Sequence, residues 1–322
     1  MKRREFLAGC LAAAWPLAAH AQQSSPKKIG FVSWFSSETD PQAEQFRKGM
    51  RELGYIEGQD IVVEAHFTNG DRDRTSEIVR KLAQEKVDIL VVVATPAIAI
   101  TKQEAGSLQI VMAAVSDPIA AGFAQSLSRP GGNFTGRTMF GPELTGKRID
   151  LIREIRPALR TVAFLGSSTD SNTGRFVKGT QIESDRSGLK LVVHLVEGPK
   201  AINAGVFEAM RDDGAEAVIV QPIFAGNQRS IVRQANEADL PVVADFAMFA
   251  EAGAVLTYGI DLDANMRRAA YFVDRIFKGA SPAELPIEQP TETKLAVNLA
   301  AAERFGWTIP PSVLARADEV IE

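Results

Sequence analysis

VDILVVVATPA, residues 87–97, is the most informative stretch of this sequence. Its nearly continuous run of Val, Ile and Leu is typical of a strand that is buried on both faces of a parallel sheet. Thr95 and Pro96 then predict the start of a helix, because Thr is a good N-cap and Pro fits the first helical position. A buried strand that passes directly into a helix is the repeating unit of an α/β fold.

The same strand-then-helix unit recurs on both sides of this stretch, in two separate series. Between the series, the pattern restarts with a predicted helix over 143–155. Repeated units of this spacing imply right-handed crossovers and doubly wound sheets. The sequence therefore predicts two doubly wound α/β lobes joined by a multi-strand hinge. The other predicted strands are 29–34, 61–67 and 109–115 in the first series, and 161–165, 190–196, 217–221 and 241–244 in the second.

Two lobes also suit the length of the chain, because 322 residues exceed what one hydrophobic core usually supports. We expect lobe 1 to comprise residues 28–144 plus 257–288, and lobe 2 to comprise residues 145–256 plus 289–322. The chain would then cross between the lobes three times, near Gly141–Thr145, Ala254–Gly259 and Pro286–Thr293, and these crossings would form the hinge.

The first 21 residues have the layout of an export signal peptide. The basic run Lys2-Arg3-Arg4 is followed by an apolar segment over 6–18 and by Ala19-His20-Ala21, a small-x-small cleavage site. The paired arginines fit a twin-arginine signal, and an ordinary Sec signal stays open as the alternative. Cys10 stands in a lipoprotein-like box but precedes most of the apolar segment, which favours a structural role. We expect a periplasmic protein that begins at Gln22.

Composition narrows the possible functions further. Loss of residues 1–21 removes three basic groups and one acidic group, so the net charge changes from −4 to −6. Mild acidity without a basic stripe argues against a nucleic-acid partner. Cys10 is the one cysteine of the chain, so the exported part has neither a disulfide nor a thiol nucleophile. Beyond the signal, no apolar run approaches the roughly 20 residues of a membrane helix.

Residues suited to catalysis or metal binding are scarce. His66 and His194 lie far apart in predicted strands, and the sequence contains no CxxC, HExxH, G-x-S-x-G or Walker motif. We interpret the Gly-rich segment Arg129–Gly136 as a turn, because it lacks the Lys of a phosphate cradle. We therefore expect no catalytic residue, no metal and no cofactor. An α/β enzyme of the racemase or glycosyl-transfer kind remains an alternative, and it would use Asp117 and Asp245 across a cleft.

Residues suited to ligand binding are more abundant. Ligands of open α/β sheets bind outside the carboxyl ends of the strands. The start of a helix at Thr95 suits a carboxylate, and Asp117 or Asp245 could face an ammonium group. Aromatic side chains there could pack an apolar ligand, although Trp34 could instead belong to the core and Asp117 could merely cap a helix. The candidate ligand-binding residues are Ser33, Trp34, Thr95, Pro96, Ser116, Asp117, Ser167, Ser168, Asn172, Gln221, Asp245 and Phe246.

Several motifs together resemble one known family, the bacterial ABC-transporter substrate-binding proteins that include tryptophan- and tyrosine-binding members. The resemblance extends from Ile29 to the C-terminus and implies a type I periplasmic binding fold with a ligand cleft between the lobes. It also implies that a carboxylate is held near Thr95–Pro96 and Ser116–Asp117. The motifs are 54–60 (GYIEGQD), 116–122 (SDPIAAG), 129–136 (RPGGNFTG), 143–148 (ELTGKR) and 314–321 (LARADEVI).

The sequence as a whole favours a carrier of small solutes. We expect an exported, monomeric solute-binding subunit of an ABC uptake transporter, which binds an amino acid or related carboxylate and meets a permease in the inner membrane. A periplasmic sensing module for a membrane receptor is the main alternative. A regulator of the lactose-repressor type shares the fold, but an export signal stands where its DNA-binding headpiece would be.

Overall fold

The computed structural model describes residues 25–36, 41–139, 141 and 144–322. The predicted export signal, with Cys10 and its cleavage site, lies outside the described residues. Elements are numbered along the chain. The strands are β1 (Lys27–Ser33), β2 (Ile61–Phe67), β3 (Ile89–Val93), β4 (Ile110–Val115), β5 (Phe134–Thr138), β6 (Thr161–Ser167), β7 (Lys190–Val196), β8 (Val218–Val220), β9 (Val242–Ala244), β10 (Leu256–Ile260), β11 (Thr293–Asn298) and β12 (Glu319–Ile321).

Helices follow most of these strands and cover the sheets on both faces. The helices are α1 (Gln42–Glu52), α2 (Arg72–Gln84), α3 (Thr95–Glu104), α4 (Thr145–Ile155), α5 (Thr173–Arg186), α6 (Ala204–Asp212), α7 (Gln228–Glu237), α8 (Ala247–Glu251), α9 (Leu262–Phe277), α10 (Leu299–Arg304) and α11 (Pro311–Leu314). Within the described ranges, none of these helices is both long and apolar enough to cross a membrane.

Lobe 1 is built on a five-stranded parallel sheet of order β2-β1-β3-β4-β5. Its central strand β3 is the stretch that the sequence marked as buried on both faces, and all five of its residues are fully buried. The long helix α9 comes from the C-terminal part of the chain and packs against α1, so lobe 1 is assembled from two distant segments.

Lobe 2 is built on a seven-stranded sheet of order β12-β11-β10-β9-β8-β6-β7. All neighbouring strands in this sheet are parallel except β10 and β11, which pair antiparallel. The predicted fold class of two doubly wound α/β lobes is thus confirmed. In both sheets the strand order reverses beside the first strand, between β1 and β3 in lobe 1 and between β6 and β8 in lobe 2.

The order of the strands in the two sheets shows that the chain passes between the lobes at three short connections. The chain leaves lobe 1 after β5 and enters lobe 2 at α4, returns between β10 and α9, and crosses again between Glu288 and β11. The expected boundary at residue 257 is wrong, because it falls inside β10. That strand pairs with β9 and β11 of the second sheet, so the return to lobe 1 begins after Ile260.

Two strands differ from the sequence prediction. Residues Phe134–Thr138 form the edge strand β5, although part of this stretch was predicted as a turn. Gly136 allows the pairing with β4, because a Cβ at this position would lie 2.1 Å from the Met112 carbonyl oxygen. The short strand β12 was also missed, since three residues next to a turn carry too little pattern to indicate a strand.

The two lobes are in contact, and one hydrophobic cluster continues from lobe 1 into lobe 2. Two glycines with positive φ lie where the backbones of the lobes come close. A Cβ on Gly226 (φ +84°) would lie 2.9 Å from the Phe35 Cβ, and a Cβ on Gly70 (φ +73°) would lie 2.6 Å from the Pro199 Cδ. The molecule therefore has its interlobe cleft closed.

Candidate functional site

The carboxyl ends of the two sheets face each other across a small cavity. This position, at the points where the strand orders reverse, is where open α/β sheets bind ligands. Both lobes contribute lining residues, which are Phe35, Ala94, Thr95, Ala114, Ser116, Met139, Phe176, Pro222, Ile223 and Phe246.

The end of β3 turns abruptly into α3 at the wall of this cavity. Ala94 has φ +77° and is the residue that precedes the helix, so Thr95 is the first helical residue and does not cap it. The predicted N-cap role of Thr95 is therefore wrong, and Pro96 occupies the second helical position. Non-glycine residues rarely adopt positive φ, and they concentrate at ligand sites. Ala114, at the end of β4, has φ +63° and also lines the cavity.

Thr95 is buried and uses its hydroxyl oxygen as an acceptor. The oxygen accepts from the Ser116 backbone N–H at 3.4 Å and from the Asn172 side-chain amide at 3.3 Å. Asn172 precedes α5 but makes no capping bond with its side chain. Since both lone pairs of the oxygen are engaged, the hydroxyl hydrogen of Thr95 is left to donate. Thr95 thus links the two lobes and presents a donor at the cavity wall.

Asp117 does not face the cavity as a free carboxylate. One of its oxygens accepts from the backbone N–H groups of Ile119 and Ala120, and the other pairs with Arg175 of lobe 2. Partial burial disfavours ionisation of Asp117, but the Ala120 N–H and the Arg175 guanidinium outweigh it and hold its pKa below the ordinary value. The helix cap that the sequence allowed is absent, because residues 118–122 form a turn and not a helix. Asp117 instead stabilises this turn and forms an ion pair between the lobes.

Asp245 is likewise paired, and it is not among the residues that line the cavity. It is 2% exposed and bonds to the guanidinium of Arg148, which is 1% exposed and also donates to the Tyr258 carbonyl and the Thr145 hydroxyl. Burial raises the pKa of Asp245 to about 6, in spite of the opposing charge of Arg148. The pair joins the first turn of α4 to the ends of β9 and β10, beside two of the three crossings.

The predicted residues at the end of β1 are buried but do not line the cavity. Ser33 is fully buried, bonds to Gln42 and accepts from the Phe35 N–H. Trp34 is 4% exposed and lies next to Gly70, so its ring belongs to the packing of lobe 1. The neighbouring aromatic residue, Phe35, is the one that reaches the cavity.

In lobe 2, three predicted residues support the site without lining it. The Gln221 side chain accepts from the Ser167 backbone N–H and donates to the buried Asp170. Ser168 is exposed, and its backbone N–H bonds to the Val196 carbonyl, which fixes the loop after β6. Phe246, by contrast, lines the cavity as predicted from its position after β9.

Sequence reasoning missed the apolar lining contributed by Met139, Phe176 and Ile223. Phe176 lies one turn into α5 and Ile223 lies in a 3-10 turn after β8, so neither directly follows a strand. A search for apolar residues one turn into the helix that follows each strand would have found Phe176. Met139 follows β5, the strand that the sequence did not predict.

Phe246 also lines a second and larger pocket on the hinge side of the lobes. Unlike the cavity, this pocket is lined by charged residues of both lobes, which are Arg229, Glu251, Asp261, Asp263 and Lys294. Asp261 caps α9 by accepting from the Ala264 N–H, and Lys294 pairs with Glu319.

The described parts of the chain contain no group of three or more side chains placed to hold a metal ion.

Two doubly wound lobes that meet at the carboxyl ends of their strands, with a small cavity between them, define a solute-binding protein of the type I periplasmic binding fold. The chain belongs to the family of ABC transporter substrate binding proteins, whose model matches residues 36–321.

Solved structures and one characterised protein agree with this assignment. The ABC domain from Streptococcus pneumonia in complex with L-Trp is 26% identical, covers 92% of this chain and 100% of its own, and has a TM-score of 0.85. A conserved domain protein from Vibrio cholerae is 25% identical, with coverages of 91% and 99% and a TM-score of 0.83. The tyrosine-binding protein of Clostridioides difficile is 21% identical over 79% of this chain and 73% of its own.

Proposed function

We propose that this chain is the exported solute-binding subunit of an ABC uptake transporter, and that it holds a small carboxylate, an amino acid or a related compound, in the cavity between its lobes. The observation that carries the proposal is the cavity itself. It lies between the carboxyl ends of both sheets, with aromatic side chains from both lobes and the Thr95 donor at its wall.

The proposed mechanism is capture by closure of the lobes. Solute would bind to one lobe of an open cleft, and rotation about the three crossings would then bring in the other lobe. Side-chain contacts between described residues on the two sides of the cleft would favour the closed form, and the ligand would add its own contacts to both walls. The contacts are Asn172–Thr95, Arg175–Asp117, Lys200–Asp71, Asn227–Asn69 and Ser36–Gly226.

The closed form would be the form that a permease of the inner membrane recognises, with the carrier acting as a monomer and without chemical conversion of the solute. The carboxylate pair that an enzyme would need is not free, because Asp117 and Asp245 each bond to an arginine. Export is supported by the layout of residues 1–21, from Lys2-Arg3-Arg4 to Ala19-His20-Ala21.

A thermal-shift screen against amino acids and small carboxylates tests the proposal. A ligand at 100 times its dissociation constant should stabilise the protein by about 2.7 kcal/mol, which gives an easily measured rise in Tm. Small-angle scattering with and without that ligand should show compaction. Chemical turnover of the stabilising compound would contradict the carrier function.

A further inference from the structure

Among the described lining residues, Phe246 is the one that the cavity between the lobes shares with the charged pocket on the hinge side. It is 3% exposed and directly follows β9, at the start of α8. The cavity lies at the carboxyl ends of both sheets, whereas the hinge-side pocket is lined by α8, the start of α7 and the connection from β10 to α9. Phe246 therefore lies at the boundary between two spaces of different chemistry.

The backbone is held in place on both sides of Phe246. The preceding residue, Asp245, is fixed by the bond of its side chain to the buried Arg148. The β10 backbone lies so close to Asp245 that a Cβ on Gly259 would be 2.4 Å from the Asp245 carbonyl oxygen. On the other side, the Phe246 carbonyl oxygen accepts from the Phe249 N–H at 2.9 Å in the first turn of α8. These contacts keep Phe246 at the boundary.

The hinge-side pocket is chemically suited to a positively charged group. Its charged lining consists of three carboxylates and two cationic side chains, which are Glu251, Asp261, Asp263, Arg229 and Lys294. Lys294 is already engaged by Glu319, at 2.6 Å. Burial and the charge of the neighbouring Asp261 raise the pKa of Asp263. An ammonium group in this pocket would favour the ionised carboxylates and form charge-assisted bonds with them.

A buried amide also lines the hinge-side pocket. Gln228 is 4% exposed, and its side-chain oxygen Oε1 has no hydrogen-bond partner among the residues that the structure describes. A buried acceptor without a donor is unfavourable, and an ammonium group brings three donors. Gln228 is thus a second, independent feature of the pocket that favours a donor-bearing cationic group.

Resting on the proposed function, we propose that Phe246 determines which solutes fit, because its ring closes the cavity off from the hinge-side pocket. In the wild-type protein the solute ends at this ring. Without the ring the two spaces join, and a longer solute can place a terminal ammonium group among Glu251, Asp261 and Asp263. Phe246 is thus a specificity-determining residue, and the hinge-side pocket is a second subsite that it keeps separate.

Calorimetry with two pairs of equally long probes tests the proposal. The pairs are L-lysine with L-2-aminoheptanoate, and 6-aminohexanoate with heptanoate. Within each pair, the chain ends in an ammonium group in one compound and in a methyl group in the other. Phe246→Ala should favour the ammonium-ended compound over its methyl-ended partner by about tenfold more than the wild type does, which is the effect of one charge-assisted bond. The ratio of the two Kd values cancels contacts that the members of a pair share.

Phe176→Ala is the matched control. Phe176 is 2% exposed and lines the cavity but not the hinge-side pocket, so its removal adds space without reaching the carboxylates. Its ratio of Kd values should stay within about threefold of wild type. Adding Asp263→Asn to Phe246→Ala should remove part of the gain. The Tm without ligand shows whether each variant has folded, and Phe246→Leu, which also removes the ring, replaces Phe246→Ala if that variant does not fold.

The outcomes separate this proposal from the proposed function. Binding of the ammonium-ended compounds by Phe246→Ala alone would support the role of Phe246. An unchanged ratio in a folded Phe246→Ala, or an equal change in Phe176→Ala, would overturn it. So would a Phe246→Ala variant that binds none of the four compounds, since the joined space should accept these chains. In each of these cases the proposed function stands if any solute raises the Tm of the wild type, and it falls if none does.

Discussion

The side-chain amide of Asn172 in lobe 2 donates a hydrogen bond of 3.3 Å to the hydroxyl of Thr95 in lobe 1. Both residues are 4% exposed, so the bond is shielded from water. It forms only when the lobes are closed, because the two side chains belong to different sheets. The same oxygen accepts from Ser116, so closing the cleft also orients the donor that faces the ligand.

Asn172→Ala is expected to weaken ligand binding without unfolding either lobe. Loss of one neutral hydrogen bond is worth about 0.5–1.5 kcal/mol, which corresponds to a rise of about 2- to 10-fold in Kd for the ligand that raises the Tm most in the thermal-shift screen. Calorimetry gives the Kd, and the Tm without ligand should change little. Ser168→Ala is the matched control, because this nearby side chain is exposed. An unchanged Kd in Asn172→Ala would show that closure does not depend on this bond.

Arg175→Ala should make ligand release faster in a manner that depends on salt. The ion pair with Asp117 joins the lobes at a partly exposed position, so it contributes about 0.2–1 kcal/mol at low ionic strength. At about 1 M salt the screening length falls to about 3 Å, and variant and wild type should converge. Stopped-flow release rates measure this effect. Arg186→Ala is the control, because it breaks a pair within α5; a similar salt effect there would contradict the interpretation.

Breaking the buried pair of Arg148 and Asp245 should destabilise the fold strongly. Arg148→Met leaves the Asp245 carboxylate buried without its cation, and removal of one partner of such a pair costs about 3–5 kcal/mol. Denaturant unfolding measures the loss. The double variant Arg148→Met with Asp245→Leu should recover part of it, since no unpaired charge remains. A double variant with the full summed loss would show that the two groups act independently.

Stability should fall between pH 4 and pH 6 through the titration of Asp245. Its pKa is raised from 3.8 to about 6 in the folded state, so in this window the folded protein binds more protons than the unfolded chain. The stability linked to this group is therefore fully present below pH 3.8 and is lost as the pH rises through 6. Denaturant unfolding at several pH values should show that the free energy of unfolding falls less over this window in Asp245→Asn than in the wild type. Equal slopes of unfolding free energy against pH in both proteins would contradict the assignment of this loss to Asp245.

Gly226→Val should hinder closure while leaving each lobe folded. The added side chain would meet the Phe35 Cβ and the Ser36 backbone across the cleft. We expect a Kd at least tenfold higher and a larger radius of gyration at saturating ligand. Gly214→Val is the matched control: it has a similar φ of +86°, so it carries similar backbone strain, but a Cβ there meets nothing within 4 Å. Equal effects of both variants would assign the loss to strain alone.

The lobes were predictable because their buried strands are nearly uninterrupted in Val, Ile and Leu. β3 is the clearest case, and the helix that follows it was also located correctly. β5 was not predictable in the same way, because it contains Gly136 and Arg137 and forms only by pairing with β4. The predicted point at which the chain returns to lobe 1 was a few residues too early. Only the strand pairing of β10 shows that this strand belongs to the sheet of lobe 2.

The candidate site was predictable in position but less so in chemistry. Following the strand ends led to Thr95, Ser116 and Phe246, which do line the cavity. The same rule suggested Asp117 and Asp245 as partners of an ammonium group. Their arginine partners come from α5 and α4, and no spacing in the sequence indicates that these side chains meet. Long-range ion pairs of this kind depend on the tertiary fold.

The order of the strands also has a consequence for how the protein is made. The sheet of lobe 2 incorporates β11 and β12 from the last 30 residues, and lobe 1 lacks α9 until residue 277 has been synthesised. On the ribosome, therefore, neither lobe can bury its core until most of the chain has emerged. The partly made chain exposes the apolar face of α1 until α9 has been synthesised, so it is a natural client for chaperones.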